Sequence, residues 1–489
     1  MSRRYFGTDG VRGKVGEHPM TVEFALRLAS AAARVLAPNG GSVLVGKDTR
    51  LSGYMFEAAL EAGFVAAGVN VLLVGPLPTP GIAYLLKRLK CDFGAVISAS
   101  HNSYEDNGIK FFDRDGGKLP DELELEIESW LDQPALTRES RELGKAARVD
   151  KQRTAYQDFC ASTLPAGLDL SGLKVVIDCA NGAAYKVAPR VLADLGADIV
   201  PIGCSPNGRN INDGCGSTQP DLLRMTVSGV KAHAGIALDG DGDRLVMVDH
   251  LGRIVDGDQL MFVLACARHA AGQLQGPVVG TVMSNLGLEL ALAERGIAFR
   301  RAAVGDRYVL QMLREAGGTL GGETSGHLLC LDKTTTGDGL VAALQVLAVM
   351  KQSGKGLAEL AAGMQKFPQK LVNVRTRQRF DAAAHPEVAA AVSAAEAAMA
   401  GRGRVVLRPS GTEPVIRVMV EGEDEADILC RFADGKMATV HLSLSTSPPV
   451  HEALVVGTKG HFRLVEHPAG PPFENVYRLE KNGEVILEG

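Results

Sequence analysis

The eight cysteines of this 489-residue chain are scattered, and no two of them form a C-x-x-C pair. That spacing excludes a zinc ribbon or a disulfide framework and leaves reduced core thiols, so Cys179, Cys204, Cys215 and Cys330 read as structural. No Gly-x-Gly-x-x-Gly opens a βαβ unit, which removes a dinucleotide-binding reading. No apolar run is long enough to cross a bilayer, and the first residues lack a signal peptide's apolar stretch; a cytoplasmic protein with no membrane partner is expected. Positive charge is not in excess, since 52 Lys and Arg stand against 57 Asp and Glu for a net charge of −5. With an isoelectric point near 6.2, this argues against a general nucleic-acid surface.

What is present is concentrated in four loops. The most informative runs from Ile97-Ser98-Ala99-Ser100-His101-Asn102 to Asp106-Asn107-Gly108-Ile109-Lys110-Phe111, behind the apolar strand Phe93-Gly94-Ala95-Val96-Ile97. It gathers a hydroxyl, an imidazole and an ammonium around one strand exit. A serine so placed can carry a phosphoryl group, because cationic neighbours stabilise charge on the incoming oxygens. The same residues also fit a polar turn with a serine cap.

The second loop, Asp239-Gly240-Asp241-Gly242-Asp243-Arg244, joins the strands Ile236-Ala237-Leu238 and Leu245-Val246-Met247-Val248. Three carboxylates at alternate positions, with glycines that let the backbone fold tightly, turn their oxygens onto one hard divalent cation, of which Mg2+ is the expected one. A calcium EF-hand requires glycine at loop position 6 and glutamate at position 12, where this chain has Arg244 and His250. An acidic turn without metal would leave three packed carboxylates repelling one another.

The third loop is Gly321-Gly322-Glu323-Thr324-Ser325-Gly326-His327, in which Glu323 and Ser325 suit vicinal sugar hydroxyls. The fourth is Arg408-Pro409-Ser410-Gly411-Thr412-Glu413-Pro414 with Arg417 following. There a glycine-containing turn aims backbone N–H groups at a phosphate, and hydroxyls and arginines complete the cradle. A satisfied polar loop and a hairpin turn are the plainer readings of these two.

Together the four loops resemble the α-D-phosphohexomutase superfamily, and in order they resemble its phosphoglucosamine mutase branch. The resemblance covers residues 1 to about 428. It includes Tyr5-Phe6-Gly7-Thr8-Asp9-Gly10-Val11-Arg12-Gly13, Val282-Met283-Ser284-Asn285-Leu286-Gly287 and Thr335-Thr336-Gly337-Asp338-Gly339. It implies Ser100 as the phosphoserine, His101 as its orienting neighbour, and Asp239, Asp241 and Asp243 with a phosphoserine oxygen as Mg2+ ligands. It implies Glu323, Ser325 and Arg244 in substrate binding, and Ser410, Gly411, Thr412, Arg417 and Arg408 around the phosphate that does not react. Arg12, Lys110 and His327 are then the candidates for charge stabilisation and proton transfer, with the general base left open. The implied activity moves phosphate between O6 and O1 of glucosamine through a 1,6-bisphosphate, with a hexose 1,6-bisphosphate as primer, towards UDP-N-acetylglucosamine and cell-wall precursors. The implied partner is a small phosphosugar, no nucleic acid is implied, and a homodimer is compatible with the resemblance. A phosphomannomutase/phosphoglucomutase, a Mg2+-dependent phosphatase and a catalytically impaired binding protein remain alternatives.

Three strand–helix–strand repeats, from Val43 to Gly75, Val175 to Gly203 and Val278 to Gly305, have the size of one βαβ unit. The expected fold is three related mixed-sheet α/β domains (1–150, 151–253 and 254–366), plus a smaller α+β fourth domain (367–429), around a central cleft. A β-rich tail (430–489) follows. The family places proline where this chain has Ser103, which predicts a looser serine loop, and Thr324 sits at a tolerant position. After Asp427 the family's closing helix is replaced by alternating apolar segments, with Asn482-Gly483 as a hairpin signal. This tail resembles the end of the β-domain of Gfo/Idh/MocA-type sugar oxidoreductases, without the fingerprint for redox chemistry. A natural fusion, a gene-assembly artefact and an interaction module are the competing origins.

Overall fold

The computed structural model describes residues 3–7, 9–149, 151–375, 385–399, 403–409 and 415–422, and beyond these the backbone of six strands between 425 and 488. The first sheet holds β1 (Val11–Lys14), β2 (Gly41–Lys47), β3 (Val69–Pro76), β4 (Phe93–Ile97), β5 (Asp106–Asp113) and β6 (Ala146–Arg148), in the spatial order β1-β5-β4-β2-β3-β6. β2 runs parallel to β3 and β4, whereas β5 is antiparallel to β4 and β1. Parallel strands buried on both faces need continuous apolar runs, and Val43, Leu44 and Val45 are fully buried. The helix Val22–Leu36 starts at Thr21, whose side chain accepts from Phe24 N, and buries Phe24, Ala25, Leu28 and Ala29 at helical spacing.

The second sheet is built from β7 (Lys174–Asp178), β8 (Asp198–Ile202), β9 (Ala234–Leu238), β10 (Leu245–Asp249) and β11 (Ile254–Val255), in the order β11-β10-β9-β7-β8. The third has β12 (Val278–Thr281), β13 (Phe299–Ala302), β14 (Leu320–Gly322) and β15 (Leu328–Cys330), in the order β13-β12-β14-β15. The parallel pairs β2–β3, β7–β8 and β12–β13 are the three βαβ repeats legible in the sequence. The third repeat ends at Ala302, before the expected Gly305. Gly305, at φ +127°, instead caps the helix Asp306–Ala316.

The fourth unit is antiparallel, with β16 (Gln369–Arg375), β17 (Gly403–Pro409) and β18 (Val415–Gly422) in the order β16-β18-β17. The helix Pro386–Ala398 sets Val388 and Val392 against Val405, Ile416, Val418 and Val420. Fully buried Glu421 is held by Arg404 at 2.7 Å and Gln369 at 3.1 Å. The tail is an antiparallel meander of β19 (Glu425–Arg431), β20 (Met437–Ser443), β21 (Val450–Gly457), β22 (Gly460–Pro468), β23 (Asn475–Lys481) and β24 (Glu484–Glu488). Lys481 pairs with Glu484, as the Asn-Gly hairpin requires; the two turn residues themselves lie outside the described residues. The seven described cysteines are free thiols. No helix among the described residues is long and apolar enough to cross a membrane.

A buried contact ties the helix Gln152–Ser162 to the helix Gly339–Ser353. Asp338 caps the latter by accepting from Val341 N at 3.0 Å, and its other oxygen accepts from Tyr156 Oη at 2.8 Å. Burial pushes the Asp338 carboxyl up to about 6, whereas an unfolded aspartate titrates near about 3.9. Between these values the folded chain keeps a proton that the unfolded chain has released. The stability held by this group is therefore full below about pH 4 and is lost as pH rises through about 6. Asp338→Asn keeps the cap and removes the titration. Between about pH 4 and pH 7 its unfolding free energy should gain about 2 kcal/mol on that of the wild type, and a difference that stays constant over that range would contradict the assignment.

Candidate active site

Ser100 stands just past the carboxyl end of β4, buried, with φ +53°, a left-handed conformation that L-residues with a side chain rarely adopt. The surroundings over-determine it. Ser98 Oγ accepts from Ser100 N at 3.0 Å and donates to Asp48 Oδ2 at 2.6 Å. Fully buried Arg50 donates to the carbonyls of Ser100 at 3.2 Å and Asn102 at 2.5 Å. Asn212, from the second sheet's loops, donates to the same two carbonyls at 2.9 Å each. These two carbonyls, in the loop that runs on to Ser103, are thus held from two sides.

The Ser100 hydroxyl donates to Asp239 Oδ2 at 2.6 Å and lies 3.4 Å from His101 Nδ1. Asp239, Asp241 and Asp243 come from the turn between β9 and β10, and one oxygen of each lies within 4.8 Å of the others. Two glycines make this approach possible. Gly242 takes φ +74°, and a Cβ on Gly240 would stand 2.6 Å from the Ser100 carbonyl oxygen. Thr79, at the start of the helix Thr79–Leu89, donates its hydroxyl to Asp241 Oδ2 at 2.7 Å and its N–H to the Asp241 carbonyl at 2.9 Å.

The donor set fits a divalent cation. Asp241 Oδ1 and Asp243 Oδ1 are buried acceptors with no hydrogen-bond partner among the described residues. Burial and the charges of Asp243 and Asp241 hold the Asp239 carboxyl well above the usual carboxylate range, the signature of acids crowded without enough positive charge.

Protein cations flank this cluster. Lys110 on β5 places Nζ 2.9 Å from Asp241 Oδ2, 2.9 Å from Asp9 Oδ2 and 3.8 Å from Asp243 Oδ2. Burial alone would lower its pKa, but Asp241 and Asp9 outweigh that and hold it above the ordinary lysine value. Arg12 on β1 pairs with Asp9, and its Nε is a buried donor with no partner among the described groups. The two histidines are driven apart. Burial, with Arg244 and Arg12 nearby, lowers His101 to about 4, so it is neutral at pH 7. Burial also opposes charge on His327, but Asp243 and Asp306 prevail and raise it to about 9, so it is an imidazolium.

Ser100, His101, Asp239, Asp241, Asp243, Arg12, Lys110 and His327 are thus drawn together from three sheets. Glu323 sits in the tight turn between β14 and β15, half-buried, with Oε1 accepting from Gly305 N at 3.0 Å, while Ser325 is exposed on the same turn. Arg244 donates its backbone N–H to Asp239 Oδ1 at 3.2 Å, and its guanidinium interacts with Asp239, Asp243 and Glu323. In the fourth unit Arg408 and Arg417 are direct cross-strand partners of β17 and β18. Ser410, Gly411 and Thr412 lie outside the described residues.

Sequence reasoning missed Asp48, Arg50, Asn212, Lys118 and Asp306. Asp48 and Arg50 had a usable signal, an acid and an arginine directly after the buried strand β2. The others carry none, because their partners lie far away in the chain.

Models of the phosphoglucomutase/phosphomannomutase family match along the sequence: alpha/beta/alpha domain I at residues 3–137, domain II at 155–252, domain III at 256–367 and the C-terminal domain at 371–434. The phosphoglucosamine mutase of Chromobacterium violaceum is 60% identical over 430 residues, covering 87% of this chain and 96% of that protein. That of Methylococcus capsulatus is 58% identical over 430 residues, covering 88% and 96%. Among solved structures, a phosphoglucomutase/phosphomannomutase family protein from Burkholderia thailandensis aligns with a TM-score of 0.71 at 24% identity, over 87% of this chain and 94% of that one. At that identity it speaks for the fold alone. Four domain models in order, with relatives of this identity and coverage, place the chain in a family: it belongs to the phosphoglucomutase/phosphomannomutase family.

Proposed function

We propose that this chain is a phosphoglucosamine mutase that interconverts glucosamine 6-phosphate and glucosamine 1-phosphate through phospho-Ser100 and a 1,6-bisphosphate intermediate. The observation that carries the reading is the Ser100 hydroxyl, 2.6 Å from Asp239 in a buried carboxylate cluster flanked by Lys110. The choice of glucosamine rests on the relatives at 58–60% identity that carry that name. The same reading makes the protein a cytoplasmic enzyme with a small phosphosugar as its partner. It adopts the domain limits 1–150, 151–253, 254–366 and 367–429.

Asp239, Asp241 and Asp243 would hold Mg2+ beside Ser100. Bound there, the cation neutralises charge on the phosphoryl oxygens and aligns them for displacement. The chain's own groups supply the rest. In the donating half-reaction the bond from phosphorus to Ser100 Oγ breaks, a bond to the sugar hydroxyl forms, and the proton that hydroxyl loses is matched by one taken up at Ser100 Oγ, so that the serine returns as a hydroxyl. Lys110 acts as a fixed charge and not as a base, because losing its proton would take from buried Asp241 its ion pair, while Asp9 would keep Arg12 and Lys118. Arg12, with Nε unspent, is placed to donate to phosphoryl oxygen. His101, neutral and 3.4 Å from Ser100 Oγ, can take or return a proton at that oxygen. Glu323 and Ser325 would bind sugar hydroxyls, with Arg244 beside them. Arg408 and Arg417, with Ser410, Gly411 and Thr412, would hold the second phosphate. Returning the intermediate in the opposite orientation and repeating the half-reaction completes the isomerisation.

Turnover of glucosamine, glucose and mannose 6-phosphates, each with Mg2+ and a hexose 1,6-bisphosphate primer, tests the reading. The glucosamine substrate should have a kcat/KM at least about tenfold above the others, a difference of about 1.4 kcal/mol in transition-state binding. A preference for mannose or glucose would replace it with phosphomannomutase/phosphoglucomutase activity.

A further inference from the structure

Lys118 and Asp306 belong to none of the four loops, yet they complete the charge arrangement around Ser100. Lys118 follows β5 in the first domain, and Asp306 opens the helix Asp306–Ala316 in the third. Lys118 Nζ lies 2.5 Å from Asp9 Oδ1 and 2.6 Å from Asp306 Oδ2. Asp306 Oδ2 faces His327 Nε2 at 3.3 Å, and His327 Nδ1 faces Asp243 Oδ2 at 3.7 Å. Asp243 is 3.8 Å from Lys110 Nζ, which returns to Asp9 at 2.9 Å. The six groups form a closed ring of alternating acidic and basic side chains, Asp9, Lys118, Asp306, His327, Asp243 and Lys110. The side chains of Lys118 and Asp306 are each 16% exposed.

We propose that Lys118 and Asp306 are positioning residues for phosphoryl transfer, an inter-domain ion pair that fixes where the Lys110 ammonium and the His327 ring stand beside the Ser100 site. The reason lies in what each carboxylate does without its partner. With Lys118 gone, Asp9 keeps only Arg12 and Lys110, and it draws Lys110 away from Asp241, where the two pulls are balanced at 2.9 Å each. Asp306 keeps the Arg307 N–H at 2.9 Å on Oδ1, but on Oδ2 it is left facing His327 and draws that ring from its looser contact with Asp243. Either displacement moves a side chain within reach of the transferring group, where an error of about 1 Å can lower the rate by up to about 100-fold. A brace beside the pair limits how far the backbone adjusts. Arg307 pairs with Asp121 and, at 3.4 Å, with Glu124, which also takes Arg3 at 2.5 Å.

The inference rests on Ser100 as the phosphate carrier and not on which sugar is preferred. Its test is the first-order rate of phosphoryl transfer from glucose 1,6-bisphosphate to dephosphorylated enzyme, followed by intact-mass spectrometry with thermal midpoints measured alongside. Lys118→Met and Asp306→Asn should each slow transfer by about tenfold or more while KM for the bisphosphate stays within about twofold. Lys118→Arg should restore most of the rate, and the double variant should be no more than about threefold slower than the slower single one, because both remove the same pair. Lys118→Arg and Asp306→Asn preserve charge or shape, so they keep the comparison readable where Lys118→Met fails to fold. Transfer within twofold of wild type in Asp306→Asn, or losses that multiply in the double variant, would overturn the proposal. A wild-type preference for mannose phosphate would overturn the glucosamine assignment alone, since the transfer rates are compared with one bisphosphate throughout.

Discussion

Ser100→Ala should leave a folded protein that accepts no phosphoryl group and turns over sugar phosphate at least about 10⁴-fold more slowly than wild type. The fold should survive because the loop is held by its carbonyls. Arg50 and Asn212 grip the main chain of Ser100 and Asn102, and Ser98 accepts the Ser100 N–H, none of which needs the hydroxyl. Alanine tolerates the left-handed φ no worse than serine. Only the bonds from Oγ to Asp239 and His101 disappear. Intact mass after incubation with a hexose 1,6-bisphosphate, together with turnover and the thermal midpoint, reads the three parts of the expectation. Phosphate uptake or residual turnover above about 1% of wild type would place the carrier elsewhere.

Asp241→Asn should lower kcat by about 10² to 10³-fold with a nearly unchanged thermal midpoint. This side chain joins three parts of the site. It takes Lys110 at 2.9 Å and Thr79 at 2.7 Å on Oδ2, and its Oδ1 has no hydrogen-bond partner among the described residues. Asparagine keeps the shape and the bond from Thr79 but halts the pairing with Lys110 and weakens the hold on a hard cation. Raising Mg2+ should recover only the binding part of the loss. Chelation of the wild-type enzyme should reproduce the drop and be reversed by Mg2+. A variant with wild-type kcat at ordinary Mg2+ would remove Asp241 from the site.

The groups that were legible in the sequence share one property, that their chemistry lies on contiguous loops. Ser100 and His101 follow the apolar strand β4, and alternate aspartates in a glycine turn declare a cation site by spacing alone. The three βαβ repeats and five of the six tail strands were legible for the same reason, since period and turn residues are local, whereas β19 (Glu425–Arg431) was not read as a strand. The ion ring is not local. Lys118 and Asp306 are separated by most of two domains, and nothing near either in the chain marks it as a partner of the other. Asn212 likewise reaches Ser100 across 112 residues, with no motif of its own. The protonation states of the histidines were hidden for a different reason. His101 and His327 differ through burial and through which charges surround them, Arg244 and Arg12 on one side and Asp243 and Asp306 on the other.

The central claim is that phosphate moves between sugar oxygens without escaping to water. Phosphorus NMR of the wild-type enzyme with Mg2+, primer and glucosamine 6-phosphate follows the 6-phosphate, the 1-phosphate and inorganic phosphate together. The account predicts approach to an isomer equilibrium with inorganic phosphate staying at background. Release of inorganic phosphate without glucosamine 1-phosphate would contradict it and make the Ser100 site that of a phosphatase.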